Sequence, residues 1–411
     1  MIPSNTWTEV LSNWWIGAIA LGVSLVITPI VRMVAYRAKL VDRPDDLLKP
    51  HGRPIAYLGG VGICAGLLGG LAAYVLTDAG MAGQWRVIGH AVRSGEWSLL
   101  VNNPLWHLIH IALASVIIMA VGLWDDVKGI RPGQKVLGQI VAAGVLLIGG
   151  VGARMADVFL TLIPLQLPVW LVAAISGLMC LFMVICTCNA TNLLDGLDGL
   201  ASGVTGIIAL GFLALAVHLA MYARFASVDS LRVGLCLAMV GAVLGFLPYN
   251  IPPASIFMGD AGSMLLGFFV ATMMALFCQE GTARWLAAAM VVFALPILDT
   301  ALAVVRRLLS RQSIFAGDRG HLYDQLVDRG MTVRQVVALF YALAALAAAV
   351  GVLAAFFMQL RWAMVLYTLL LAIVWGVFIY LGMVTPPPRH ASGQMASGAA
   401  RHSPARKNDD A

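Results

Sequence analysis

Residues 168–203 read PVWLVAAISGLMCLFMVICTC followed by NATNLLDGLDGLASG. The first part, 168–188, carries no charged side chain and is long enough to cross a hydrocarbon core of about 30 Å, which takes roughly 20 residues of helix. The second part sets Asn189, Asn192, Asp195 and Asp198 at every third position, interleaved with Gly196 and Gly199. Along a helical or 3₁₀ turn these four polar groups drift slowly around one side. They can bind metal, ribose or base edges together; the plainer alternative is a polar helix cap. Acidic groups beside a membrane span point to function by default.

The same pattern extends outward from this stretch. Apolar runs occupy 14–36, 55–76, 105–124, 135–151, 168–188, 200–220, 232–249, 262–278, 285–305, 335–357 and 362–383. They predict an all-α polytopic membrane protein of about eleven transmembrane helices at roughly 20 residues each, or about ten if the short fourth run or the closely spaced seventh and eighth do not cross separately. Composition agrees. The 411 residues are 61% hydrophobic and 11% charged, with a mean hydropathy of +0.89. A soluble domain is nearer ~25% charged. This excludes secreted enzymes, cytosolic dinucleotide-binding proteins and DNA-binding modules. The net charge of +6 therefore implies no nucleic-acid partner. The six cysteines lie in or at the ends of apolar runs, without histidines at zinc spacing.

Nineteen of the 26 Lys and Arg residues fall in the loops after odd-numbered runs and in the carboxyl-terminal stretch. The positive-inside rule then predicts an amino terminus outside and a cytoplasmic carboxyl terminus. Residues 1–13 carry no Lys or Arg, which predicts no cleaved signal peptide. The organisation expected is one multi-span domain over 1–384. The Pro-, Ser- and Ala-rich stretch 385–411 reads as a disordered cytoplasmic tail.

The acids collect on that same side. Asp125 and Asp126 end the third run, Asp195 and Asp198 follow the fifth, and Asp260 in FMGDAGS precedes the eighth. Adjacent carboxylates can be a solvated helix end, yet beside an anionic substrate they suit a divalent metal. Asp260 can be an ordinary N-cap or a metal ligand that holds phosphate at a helix amino end. Asp299, inside the ninth run, faces the interior in either a structural or a functional role. His107, His110 and His218 read as packed histidines, whereas His321 sits in the basic loop GDRGHLYDQLVDRG. The residues alone describe an acidic, cytoplasm-facing site with Mg²⁺ and a phosphate or pyrophosphate ligand. Eleven spans suggest that one substrate is a lipid.

Five blocks carry a resemblance. VDRPDDLLKPHGRPIAYLGGVGI, GLWDDVKGIRPGQKVLGQ, NATNLLDGLDGLASG, NIPPASIFMGDAGS and RRLLSRQSIFAGDRGHLYDQLVDRG, within residues 41–330, resemble the polyprenyl-phosphate N-acetylhexosamine-1-phosphate transferase superfamily. Within it, the chain looks more like the GlcNAc-1-phosphate transferases than the phospho-MurNAc-pentapeptide transferases, whose triple-histidine motif is absent. The resemblance implies transfer of a sugar-1-phosphate from a UDP-sugar to polyprenyl phosphate, with release of UMP, at a bacterial inner membrane. It implies Mg²⁺, with Mn²⁺ as a substitute, at Asp260 and Asp195, and Asp125 close by. Asp126 is implied as the base toward the lipid phosphate. Asn192 is implied beside the metal with Asp195; Asn189 and Asp198 lie near the nucleotide, Asn250 is among the substrate-binding residues, and Lys135, Arg319 and His321 bind pyrophosphate or sugar. A homodimer is allowed for. One departure stands out: where the resemblance expects H-x-H-H, the chain reads His321, Leu322, Tyr323, Asp324. A transporter is the rival reading, but its polar groups belong near the bilayer midplane rather than in loops at one face.

Overall fold

The structure, a computed structural model, describes residues 12–42, 54–77, 79–160, 167–222, 226–279, 282–311 and 320–384. After α1 (Trp14–Arg37), two short strands, β1 (Val41–Asp42) and β2 (Ile55–Ala56), lead into α2 (Gly59–Thr77). The helices α3 (Ala79–Ser94) and α4 (Trp97–Val101) precede α5 (Pro104–Lys128) and α6 (Pro132–Ile148). Next come α7 (Asp157–Leu160), α8 (Val169–Leu194), α9 (Leu200–Tyr222), α10 (Ala226–Asn250) and α11 (Gly259–Cys278). The order closes with α12 (Ala283–Val292), α13 (Ala294–Leu309), the short α14 (Leu322–Asp328), α15 (Val333–Phe357) and α16 (Leu360–Tyr380).

Among the described residues nine helices are long and apolar enough to cross a membrane, and ten if the bent pair α12–α13 is one span. The fourth apolar run is α6, a shorter apolar helix than these. The chain is therefore a helical, multi-pass membrane protein. Arg319 and the 385–411 stretch lie outside the described residues.

Local chemistry sets the boundaries. Asn103 caps α5 by accepting from the Leu105 and Trp106 amides at 3.0 and 3.1 Å, and Pro104 at the first helical position needs no donor partner. Thr332 and Gln335 exchange side-chain-to-backbone bonds at the start of α15, a capping box. Between α12 and α13 the axis bends by 71°. Pro296 explains the break: it cannot donate to the Val292 carbonyl four residues earlier, and its ring crowds that oxygen.

The helix α11 is the centre of the bundle. Every residue from Ala261 to Cys278 is buried, as expected for a helix that is apolar all round. It packs against α5, α8 and α2. Its carboxyl end is held by the fully buried Arg232 of α10, whose Nε and Nη2 donate to the Leu276 carbonyl at 3.2 and 3.0 Å. Asp229, one turn earlier, accepts from Arg232 Nη1 at 2.5 Å. Carbonyls of a last helical turn have no partner of their own, and a cation is favoured there.

One feature departs from the all-helical expectation. The strands β1 and β2 pair antiparallel, with Val41 opposite Ala56 and Asp42 opposite Ile55. Ala56 also bridges to Ile256, and its carbonyl accepts from the Phe257 amide at 2.9 Å. The run read as helical from residue 55 thus begins its helix at Gly59. Ile55 pairs with Asp42 of β1, and Ala56 also bonds to the segment just before α11. This ties the first loop to the residues that lead into Asp260.

Candidate active site

The ends of α5, α8 and α10 and the starts of α6, α9 and α11 meet at one end of the bundle. Lys135, in the first turn of α6, has its Nζ in ion pairs with both the Asp125 and the Asp260 carboxylates. The two carboxyl groups are also within hydrogen-bonding reach of each other. Asn192, from the last turn of α8, donates to Asp260 Oδ1 at 2.8 Å and to Ser263 Oγ at 2.9 Å. Asp125 and Lys135, Asn192, and Asp260 come from three separate stretches of the sequence and form one contiguous cluster. Ser263 joins them; it lies one helical turn beyond Asp260 in the GDAGS block, the signal by which it could have been found.

Asp126 is placed differently from its neighbour. Its Oδ1 accepts from the Asp260 amide at 2.7 Å and its Oδ2 from the Ala261 amide at 3.0 Å. A carboxylate from α5 therefore caps α11 in trans, against the positive end of that helix. Gly259 makes this possible. Its φ of +70° is in the left-handed region, and a Cβ there would come within 2.6 Å of Asp126 Oδ2. The expected base thus has both oxygens committed to backbone donors, while Asp125 holds the Ile130 amide at 2.7 Å through Oδ1 and Lys135 through Oδ2.

Asp195 lies just past α8. Burial and the like charges of Asp260, Asp126 and Asp198 push its carboxyl well above the usual carboxylate range. Asp198 accepts from the Ala254 amide at 2.8 Å. Asn250 accepts from the Gly199 amide at 3.2 Å and Ser202 Oγ at 2.7 Å, and donates to the Ile256 carbonyl at 3.1 Å. Together Asp198 and Asn250 pin the NIPPASIF loop under the acidic cluster. Asn189 donates to Gln139 Oε1 at 3.2 Å and to the Ile185 carbonyl at 2.7 Å. Tyr57, which the sequence reading did not single out, is held by Asp42. Burial and that hydrogen bond raise its phenol above the usual range, and it also feels Asp126 and Asp260.

His321 stands in a second, adjoining group. Its Nδ1 is 2.8 Å from Asp299 Oδ2, and Asp299 Oδ1 accepts from the Leu322 amide at 2.6 Å. Both side chains are buried. Asp299, left open from sequence, is the group that orients His321. Tyr323 joins this pair to the acidic loop, donating to the Leu193 carbonyl at 3.2 Å. Arg306 donates to the Gly320 carbonyl just before His321.

Among the described residues no group of three or more His, Cys, Asp and Glu side chains is disposed to hold a metal by itself. The donor set nevertheless suits Mg²⁺, which takes one or two carboxylates and completes its shell with substrate phosphates and water. Asp125 and Asp260 meet around a single cation, the Lys135 ammonium, and the raised carboxyl of Asp195 lies close to them. Carboxylates this close need a shared proton or a cation between them.

Fold and site define a membrane-embedded enzyme that handles an anionic, phosphate-bearing substrate at one end of its helical bundle. The glycosyl transferase family 4 description matches residues 108–278, which include every acid of the central cluster. The chain is 32% identical to a decaprenyl-phosphate N-acetylglucosaminephosphotransferase of Mycobacterium tuberculosis, across 79% of this chain and 78% of that protein. It is 29% identical to a probable undecaprenyl-phosphate N-acetylglucosaminyl 1-phosphate transferase of Bacillus subtilis, across 77% and 78% of the two chains. Similarity to a phospho-N-acetylmuramoyl-pentapeptide-transferase of Limosilactobacillus reuteri, 33% identical, spans 45% of this chain and 55% of that one. The chain belongs to the polyprenyl-phosphate N-acetylhexosamine-1-phosphate transferase superfamily, within glycosyl transferase family 4.

Proposed function

We propose that this enzyme transfers GlcNAc-1-phosphate from UDP-GlcNAc to undecaprenyl or another polyprenyl phosphate, releasing UMP and starting a lipid-linked envelope glycan. The observation that carries the reading is the meeting of Asp125, Asp260 and Asn192 about Lys135 at one end of a membrane bundle. An oxygen of the lipid phosphate attacks the sugar-linked phosphorus in line, and the bond to the UMP oxygen breaks. Mg²⁺ held by Asp260 and Asp195, with Asp125 alongside, would neutralise charge on the pyrophosphate. Lys135 stabilises the charge that develops on the leaving phosphate. Asp126 takes any proton the lipid phosphate still carries. Asp126 fixes the amino end of α11 and with it the Asp260 side chain. Asn189, Asn192, Asp198 and Asn250 shape the nucleotide side, and His321, oriented by Asp299, contacts phosphate or sugar with Arg319.

In this reading the site end of the bundle faces the cytoplasm at a bacterial inner membrane, with the amino terminus outside, and the distribution of basic residues supports it. That side holds the water-soluble nucleotide sugar, while the lipid phosphate reaches it from the bilayer. The test is UMP release by purified protein given polyprenyl phosphate, Mg²⁺ and, in turn, UDP-GlcNAc, UDP-MurNAc-pentapeptide and other UDP-sugars. Release with UDP-GlcNAc supports the reading. Release only with the pentapeptide substrate would move the chain to the sister activity, and none with any donor would overturn the transferase assignment.

A further inference from the structure

Tyr323 stands where the resemblance would put a second histidine, and the structure gives it a different task. Its side chain is 7% exposed, so it offers almost no surface to a substrate. Its hydroxyl donates to the Leu193 carbonyl at 3.2 Å, an oxygen of the last turn of α8 that has no partner within its own helix. The ring lies on Gly196, where a Cβ would come within 2.2 Å of the hydroxyl and 2.3 Å of the ring carbon bearing it. On its other side the ring runs parallel to His321, with centroids 5.6 Å apart and planes 7° apart. Tyr323 therefore spans the gap between the Asp299–His321 pair and the loop that carries Asp195 and Asp198. A histidine is shorter, and its ring nitrogens would fall short of the Leu193 oxygen.

We propose that Tyr323 is a positioning residue that locks His321 at a fixed separation from the Asp195–Asp198 loop, and so sets the affinity for the nucleotide sugar. The inference rests on the transferase reading above. The UDP-sugar is the one substrate expected to touch both walls of this gap, with its nucleotide near Asp198 and its sugar or phosphate near His321. Loosening one wall weakens ground state and transition state together, which raises KM and leaves kcat alone.

The experiment measures UMP release by purified wild type, Tyr323→Phe and Gly196→Ala, varying each substrate separately. Tyr323→Phe removes only the hydroxyl bond, which the free enzyme also makes, so its worth of about 0.5–1.5 kcal/mol bounds the lost pre-organisation and KM for the UDP-sugar should rise by about two- to tenfold at most. Its kcat should stay within about twofold and its KM for polyprenyl phosphate should not move. Gly196→Ala pushes on the same contact from the other wall and should raise the same KM, and because its neighbour Asp195 moves with it the kcat of this variant falls too. Combined, the two changes should cost less than the sum of their separate effects, as for residues in contact. A wild type that makes UMP, with variants whose KM values are unchanged or whose two KM values rise equally, would overturn the inference alone. A wild type that makes no UMP would overturn the transferase reading and this inference with it.

Discussion

Asp126→Asn is the most informative single change, because the structure gives this residue a helix-capping contact beside the base role that the resemblance implies. The wild-type carboxylate accepts two amides of the first turn of α11, at 2.7 and 3.0 Å. An asparagine keeps one acceptor oxygen and turns its NH₂ donor toward an amide donor. One charge-assisted hydrogen bond is lost, about 1.5–3 kcal/mol, along with the favourable charge at a helix amino end, about 0.3–1 kcal/mol. The total of about 2–4 kcal/mol falls on the turn that carries Asp260. That carboxylate must be held to within a fraction of an ångström, and a displacement of about 1 Å can cost on the order of a hundredfold in rate. Turnover measured by UMP release should thus drop at least about a hundredfold, and thermal unfolding in detergent should start several degrees lower. The Mg²⁺ concentration for half-maximal rate should also rise. Turnover near wild type would refute the capping argument. So would a large loss of turnover at unchanged unfolding temperature, which would leave Asp126 with the base role alone.

Asp260→Asn should lower turnover by at least about a hundredfold, and chelation of divalent metal should abolish wild-type turnover reversibly, as initial rates with and without added Mg²⁺ would show. His321→Ala and Asp299→Asn should each lose most UMP release, whereas His107→Ala, His110→Ala and His218→Ala keep most of theirs; an active His321→Ala enzyme would reduce that loop to a structural part. Arg232→Met should lower thermal stability by about 3–5 kcal/mol, since it breaks the buried pair with Asp229 and removes the donors to the Leu276 carbonyl, and Asp229→Asn combined with it should recover part of the loss. In a cysteine-free background, single cysteines at the exposed Arg93 and Arg154 should react with impermeant reagent from outside intact cells and one at Lys128 should not; the reverse pattern would overturn the cytoplasmic site.

The sequence determined the solvent this protein folds in and the side on which its polar groups gather. Apolar runs of span length are a one-dimensional property, since each backbone must satisfy its own hydrogen bonds in lipid, and the helices therefore fall where the runs do. The residues of the cluster were also legible, because acids and amides at span ends are conspicuous against so apolar a background. Which of them act together was not. Asp125 and Asp126 are chemically identical neighbours, and only their helical rotation sends one to Lys135 and the other under α11. Asn250 and Asp198 looked equivalent to Asn192, yet their partners turn out to be backbone groups of the loop below the cluster and Ser202 in the first turn of α9. Asp299 and Tyr323 gained their meaning from contacts with His321 and Leu193, which lie 22 and 130 residues away. Periodicity and composition act along the chain, so they set spans and sides. Hydrogen bonds and ion pairs act through a few ångströms of space, so tertiary packing alone decided which carboxylate caps a helix and which faces a cation.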